Sequence, residues 1–289
     1  MAASVHQRLL NLSRETGEDF QRVLDRYVAE RFLYRLSRSS HSNDFILKGA
    51  MLFVAWMGQM LRPTRDLDLL GYGDPSAERI RACFSNICDQ AADGDGLVFD
   101  ADAVRVDPIR EGQTYEGQRV RIPVLLGKAR ITLQVDVGFG DAVPAGLRPT
   151  VFPTLLDMPA PEVTWYPPEV VVAEKVHAMV VLGMANSRMK DFYDVAEILD
   201  RFTLTTGLLA NSLAETFARR QTLLPADIPV AFTSAFTEDQ AKNKQWKSFL
   251  LRNDLSPENS LQSVITRIAD TILPALMNAR EAGGRSETA

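Results

Sequence analysis

Apolar residues recur at spacings of three and four between residues 4 and 38: Leu9 and Leu10, Phe20, Val23 and Leu24, Tyr27 and Val28, Phe32 and Leu33. That period predicts helix. The stretch "SRSSHSND" interrupts it, and "DFILKGAMLFVAWMGQM" reads as a short strand entering a mostly apolar helix. Next, "DLDLLGYG" reads as a strand ending at glycines, and "GDPSAERIRACFSNICDQAA" as a helix opened by Pro75 and Ser76. Three β-like runs follow: "LVFDADAVRV", "QRVRIPVLL" and "ARITLQVDVGFG". The last two meet at Gly127-Lys128, with glycine where a type II′ hairpin favours it. A loop-rich, proline-rich connection leads into a remainder that is helical in pattern from Val170 to about Arg280. This order predicts an α+β chain with a small, partly antiparallel sheet in residues 1–165 and a helical domain in residues 166–289.

Composition narrows the setting. No apolar run is long enough to span a membrane, and the N-terminus lacks the apolar core of a secretory signal. Cys83 and Cys88 are the only cysteines, five apart in a predicted helix with no nearby histidine pair. That spacing argues against a disulfide scaffold and a structural zinc site, and it fits a reducing cytoplasm. The net charge is −5, so a polyanion would have to meet a local basic patch. Arg8, Arg14, Arg22, Arg26, Arg31, Arg35 and Arg38 offer one. Interspersed Glu15, Glu18, Asp19, Asp25 and Glu30 equally fit a solvated, salt-bridged helix.

The chemistry begins at "RPTRDLDLLG". In a strand, residues two apart share a face, so Asp66 and Asp68 project together while Leu67 and Leu69 enter the core. In "RITLQVDVGFG", Ile131, Leu133, Val135 and Val137 form the apolar face and put Asp136 on the polar one. On neighbouring strands these three carboxylates would converge, and two Mg²⁺ ions would neutralise them and clamp a triphosphate. A half-exposed edge strand would account for "DLD" without any ligand. Lys48 and Gly49 sit at a strand-to-helix turn where glycine lets backbone approach an anion, or simply makes the turn. Lys175 lies among Val171, Val172, Ala178 and Met179, so it must snorkel, pair with a carboxylate or meet an anion. His177 reads as a packed histidine. Asp191 falls at the edge of a buried stripe of Phe192, Val195, Ala196, Leu199 and Phe202, with Asp194 beside it. Arg188, one turn before, can form a plain i,i+3 ion pair with Asp191.

Together, "FILKGAMLF", "RPTRDLDLL", "LQVDVGFGD" and "PPEVVVAEKVHAMVVLGMANSRMKDFYDV" resemble the AbiEii/AbiGii nucleotidyltransferase family, the toxin halves of abortive-infection toxin–antitoxin pairs that include the MenT toxins. The matching blocks follow family order from residue 45 to about 195. The resemblance implies a DNA polymerase β-type nucleotidyltransferase domain with a C-terminal helical domain closing the cleft. It implies that Asp66 and Asp68 bind metal with Asp136 as the third acidic position, the ions being Mg²⁺ or Mn²⁺. Lys175 would hold nucleotide phosphates, and Asp191, with Asp194, would be the acidic group of the helical domain. Lys48, Gly49, Thr64, Arg65 and Arg188 complete the expected nucleotide site. Ala50 stands where the family usually has Gly or Ser, so phosphate contact there would rest on backbone amides. The implied reaction moves a nucleoside monophosphate from an NTP to an acceptor hydroxyl, by resemblance a tRNA 3′ end. A cognate antitoxin, acting directly or indirectly, is the implied partner. The alternatives are a small-molecule nucleotidyltransferase of the antibiotic-modifying type and a non-catalytic RNA-binding regulator.

Overall fold

Alternation along two strands organises the first half of the chain. The computed structural model describes residues 1–64, 66–92, 94–109, 117–256 and 259–286. Arg65, expected at the nucleotide site, lies outside the described residues. The chain divides into two compact units, residues 1–140 with 146–166, and residues 141–145 with 167–289.

The first unit opens with two helices, α1 (Ala2–Thr16) and α2 (Phe20–Arg38). The continuous apolar period is broken at Gly17, and Asp19 restarts it by accepting a hydrogen bond from the Arg22 amide. Then come β1 (Phe45–Lys48), α3 (Met51–Met57), β2 (Asp66–Gly71) and α4 (Ala77–Cys88). The run "LVFDADAVRV" forms two short strands rather than one, β3 (Leu97–Phe99) and β4 (Arg105–Ile109). The break falls where Asp100 closes a turn on the Ala103 amide. The long strands β5 (Gly117–Leu126) and β6 (Ala129–Phe139) follow, and the proline-rich connection carries a two-stranded ladder of β7 (Thr150–Val151) and β8 (Glu162–Val163).

The main sheet has the order β1-β2-β6-β5-β3, with β4 also paired to β5. Among the described strand pairs of this sheet, β2 and β6 run parallel and the others antiparallel. Leu67 and Leu69 of β2, Leu133, Val135 and Val137 of β6, and Val120 and Ile122 of β5 are buried on one face. Burying each such side chain contributes roughly 1.5–3 kcal/mol, so a one-residue slip of any strand is excluded. The β5–β6 turn is closed by Gly127 at φ +61°. Lys128 stays outside the positive-φ region, as a type II′ turn requires.

α2 is more buried than its charge suggests. Arg35 Nη1 lies 2.6 Å from Asp95 Oδ2, and Arg31 Nη1 donates to the Pro159 carbonyl at 2.8 Å. Both arginines are buried, because the face of α2 that carries them is covered by the loops holding Asp95 and Pro159. They therefore leave the expected basic face, which reduces to exposed Arg8, Arg14, Arg22 and Arg38 with half-buried Arg26.

In the second unit, α5 (Pro168–Leu182), α6 (Met189–Arg201) and α7 (Thr206–Arg219) precede a short α8 (Ser234–Thr237), α9 (Gln240–Arg252) and α10 (Leu261–Ser286). α6 packs against α5, α9 and α10, so its buried arc is wider than a single apolar stripe. Met189 and Ile198 are inside, and so are Asp191 and Asp194, which the sequence pattern puts at the edge. Among the described residues no helix is long and apolar enough to cross a membrane.

Asp95 is the shared anion for two buried guanidinium groups, and removing one partner of such a cluster leaves uncompensated charge. Asp95→Ala should cost about 3–5 kcal/mol, read as a lower urea midpoint at unchanged slope; a loss within experimental error would contradict the assignment.

Candidate functional site

The parallel pairing of β2 with β6 puts Asp68 directly opposite Asp136 and Asp66 opposite Gln134. Residues so paired share a face, with backbones about 4.8 Å apart. Asp66, Asp68 and Asp136 are all half-buried, on the side of the sheet away from Leu67, Leu69, Val135 and Val137. Gln134 Nε2 donates to Asp66 Oδ1 at 2.6 Å.

The row continues to both sides. On β1, Lys48 is the register partner of Asp68, and its ammonium also lies 5.2 Å from the Tyr166 ring centre. On β5, Arg119 is the register partner of Asp136 and grips it with a two-point fork, Nε to Oδ1 at 2.8 Å and Nη2 to Oδ2 at 2.7 Å. Four strands thus present Lys48, Asp68, Asp136 and Arg119 side by side, two anions between two cations. Like charges directly opposite destabilise a sheet. The flanking cations reduce that cost in the protein alone. Arg119 was missed by sequence reasoning, although the hairpin held the signal: seven residues along each strand from the closing pair Leu126 and Ala129 lie Arg119 and Asp136.

Gly49 has a stricter role than turn formation alone. Its φ is +72°, and a side-chain carbon there would overlap Asp68 Oδ2 and lie 2.6 Å from Asp68 Cβ. The turn therefore carries no side chain because the Asp68 carboxylate occupies that space. Ala50 is the N-cap of α3 and is buried without a side-chain cap bond. Thr64 precedes β2, and its hydroxyl donates to the Asp66 carbonyl at 3.3 Å.

Carboxylate oxygens are the donor type that hard divalent cations take. Three carboxylates share one face, and each has two oxygens with about four acceptor positions in all. The fork on Asp136 uses one position per oxygen, and Gln134 uses one of Asp66's.

The second unit holds a separate charged cluster. Lys175 Nζ, on α5, donates to Asp191 Oδ1 at 2.8 Å and to Asp194 Oδ2 at 2.9 Å, both on α6. Arg188 Nε lies 2.7 Å from Asp191 Oδ2, which is the i,i+3 pair expected from spacing. Asp191 is 0% and Asp194 1% exposed. Burial pushes the Asp191 carboxyl up, but the charges of Lys175 and Arg188 outweigh it and hold the group below its ordinary range. Lys175 therefore resolves its desolvation by pairing with carboxylates. Nearby, His177 Nε2 lies 3.0 Å from Thr222 Oγ1, and burial and then the Arg220 charge push its pKa down to about 4. It is a neutral, packed histidine.

The first unit thus carries acidic residues on paired strands of a small mixed sheet, and the second a lysine–aspartate cluster. The sequence profile of the nucleotidyl transferase AbiEii toxin of type IV toxin–antitoxin systems matches residues 31–268. The chain belongs to this family. Two solved structures from Helicobacter pylori are similar in outline. One is JHP933, with a TM-score of 0.48 and 11% identity, the alignment covering 89% of this chain and 93% of that one. The other, a candidate nucleotidyltransferase, has a TM-score of 0.47 and 12% identity, with 91% and 97% covered. Among curated proteins no sequence matches this chain.

Gly49→Ala forces a side chain onto Asp68 at a left-handed backbone position. It should destabilise the protein by more than about 1 kcal/mol, while Ala50→Gly stays within about 1 kcal/mol of the parent, both measured by denaturant unfolding. A neutral Gly49→Ala would mean that the turn does not support Asp68.

Proposed function

We propose that this protein transfers a nucleoside monophosphate from an NTP to an acceptor hydroxyl, with the 3′ end of a tRNA as the acceptor. The observation that carries the reading is the register of Asp68 against Asp136 with Asp66 on the same face. That convergence is stable only with positive charge beside it. Membership of a toxin family supports both the reaction class and a cognate antitoxin as partner. A reaction that consumes NTP and tRNA takes place in the cytoplasm.

Asp66, Asp68 and Asp136 would hold the divalent ions, Mg²⁺ or Mn²⁺, which supply charge neutralisation for the triphosphate and the leaving pyrophosphate. Gln134 fixes the rotamer of Asp66, and Gly49 leaves room for Asp68. Arg119 holds the Asp136 carboxylate in place with its two-point fork, so it acts through Asp136 as a positioning residue. Lys48 and Thr64 stand beside the same carboxylates and would orient phosphate oxygens. In the helical unit, Lys175 and Arg188 would meet phosphate charge, with Asp191 and Asp194 holding the ammonium in place. In the transfer, the acceptor oxygen bonds to the α-phosphorus, the bond to the bridging oxygen of pyrophosphate breaks, and the hydroxyl proton passes to solvent. Catalysis here is positioning and electrostatics.

Full-length protein incubated with total tRNA, Mg²⁺ and each α-labelled NTP in turn should label tRNA at its 3′ end with one or a subset of the nucleotides. Asp68→Ala should lower the rate at least about 100-fold. Label entering an aminoglycoside-type drug but no RNA would favour the small-molecule reading. Equal labelling by Asp68→Ala would refute the site.

A further inference from the structure

At the opposite end of β1 from Lys48, three metal-ligating side chains of different chemistry come together. His41 lies in the turn after α2, Asp44 immediately precedes β1, and Cys83 lies on the inner face of α4. One ligand atom from each lies within 4.8 Å of the other two. His41 Nδ1 is 2.8 Å from Asp44 Oδ2. That hydrogen bond explains the first two residues and leaves the third unaccounted for. The Cys83 thiol is buried, yet its sulfur lies within 4.8 Å of an imidazole nitrogen and a carboxylate oxygen. The sequence spacing, which argued against zinc from the two cysteines alone, takes no account of a histidine 42 residues upstream of Cys83.

We propose that His41, Asp44 and Cys83 bind one zinc ion, with water as the fourth ligand, and that this ion ties the α2–β1 turn to α4. Imidazole nitrogen, carboxylate oxygen and thiolate sulfur are the donor types zinc accepts in tetrahedral sites. Ligand atoms around such an ion lie about 3.3–3.6 Å apart. Binding therefore opens the His41–Asp44 contact by a few tenths of an ångström and brings the sulfur to about 3.6 Å from the other two atoms. His41 binds as the neutral ring through Nδ1, and the thiol proton is released to solvent as the Zn–S bond forms. Arg79 is the competing cation. Its Nη2 is 3.4 Å from Asp44 Oδ2, while Nη1 donates to the Asp74 carbonyl at 3.0 Å. The second bond keeps the guanidinium anchored when the ion takes the carboxylate.

The site would be separate from the carboxylate row. The Asp44 carbonyl accepts from the Tyr72 amide beyond the end of β2, and Asp44 lies four residues from Lys48, about 13 Å along an extended strand. The proposal is therefore independent of the nucleotidyl-transfer reading, and either can fail alone.

Cobalt distinguishes this site from the carboxylates, because a thiolate ligand produces a near-ultraviolet charge-transfer band that oxygen ligands do not. Metal-free, full-length protein titrated with Co²⁺ should develop that band with one ion per chain, and Zn²⁺ should abolish it. Cys83→Ser should eliminate the band and His41→Ala weaken binding at least about tenfold, while Cys88→Ser and Asp68→Ala retain it. Absence of the band in the parent, or its survival in Cys83→Ser, would overturn the proposal. Should Cys83→Ser not fold, alkylation of the parent gives the answer: Zn²⁺ should slow modification of Cys83 selectively, and equal rates with and without Zn²⁺ would overturn it.

Discussion

Two carboxylates held in register on adjacent strands are the interaction on which the first unit turns. Asp68 and Asp136 sit where the core demands it: Leu67, Leu69, Val135 and Val137 must face inward, so the residues between them must face out together. A chain free to vary would place neutral or opposite charges there. Instead the sheet compensates from outside the pair, with Lys48 on one side and the Arg119 fork on the other.

The second unit handles charge differently. Its central carboxylates, Asp191 and Asp194, are fully buried and are matched within the unit, Lys175 lying between Asp191 and Asp194 and Arg188 against Asp191. Removing a lysine from water is costly unless it is paired at close range, and here two helices supply the partners. The result is an ammonium held at a fixed position and still partly exposed, at 15%. Little of that side chain's freedom is left to lose.

Much of this could be read from residue order, and the reasons differ by element. Strand alternation around Asp66, Asp68 and Asp136 was readable because the apolar partners are all Leu, Ile or Val. The adjacency of β2 and β6 was not, since 68 residues separate Asp66 from Gln134 and parallel pairing leaves no turn to mark it. Arg119 was readable in principle through the Gly127 hairpin, but only by counting register along both strands. The burial of Arg31 and Arg35 was invisible to helical periodicity, because their partners Asp95 and Pro159 come from distant loops. The same holds for Asp191 and Asp194: a wheel drawn for one apolar stripe cannot show that α6 is covered by three helices.

The claim at the centre of this account is that the β2–β6 carboxylates form a cation site. Titrating Mn²⁺ into full-length protein and following the free ion by electron paramagnetic resonance measures it without any assumption about nucleotide or acceptor. Asp136→Asn keeps the shape and a hydrogen-bonding oxygen while removing the charge. The account predicts binding at least about tenfold weaker in this variant. Mn²⁺ affinity and stoichiometry equal to those of the parent would contradict it.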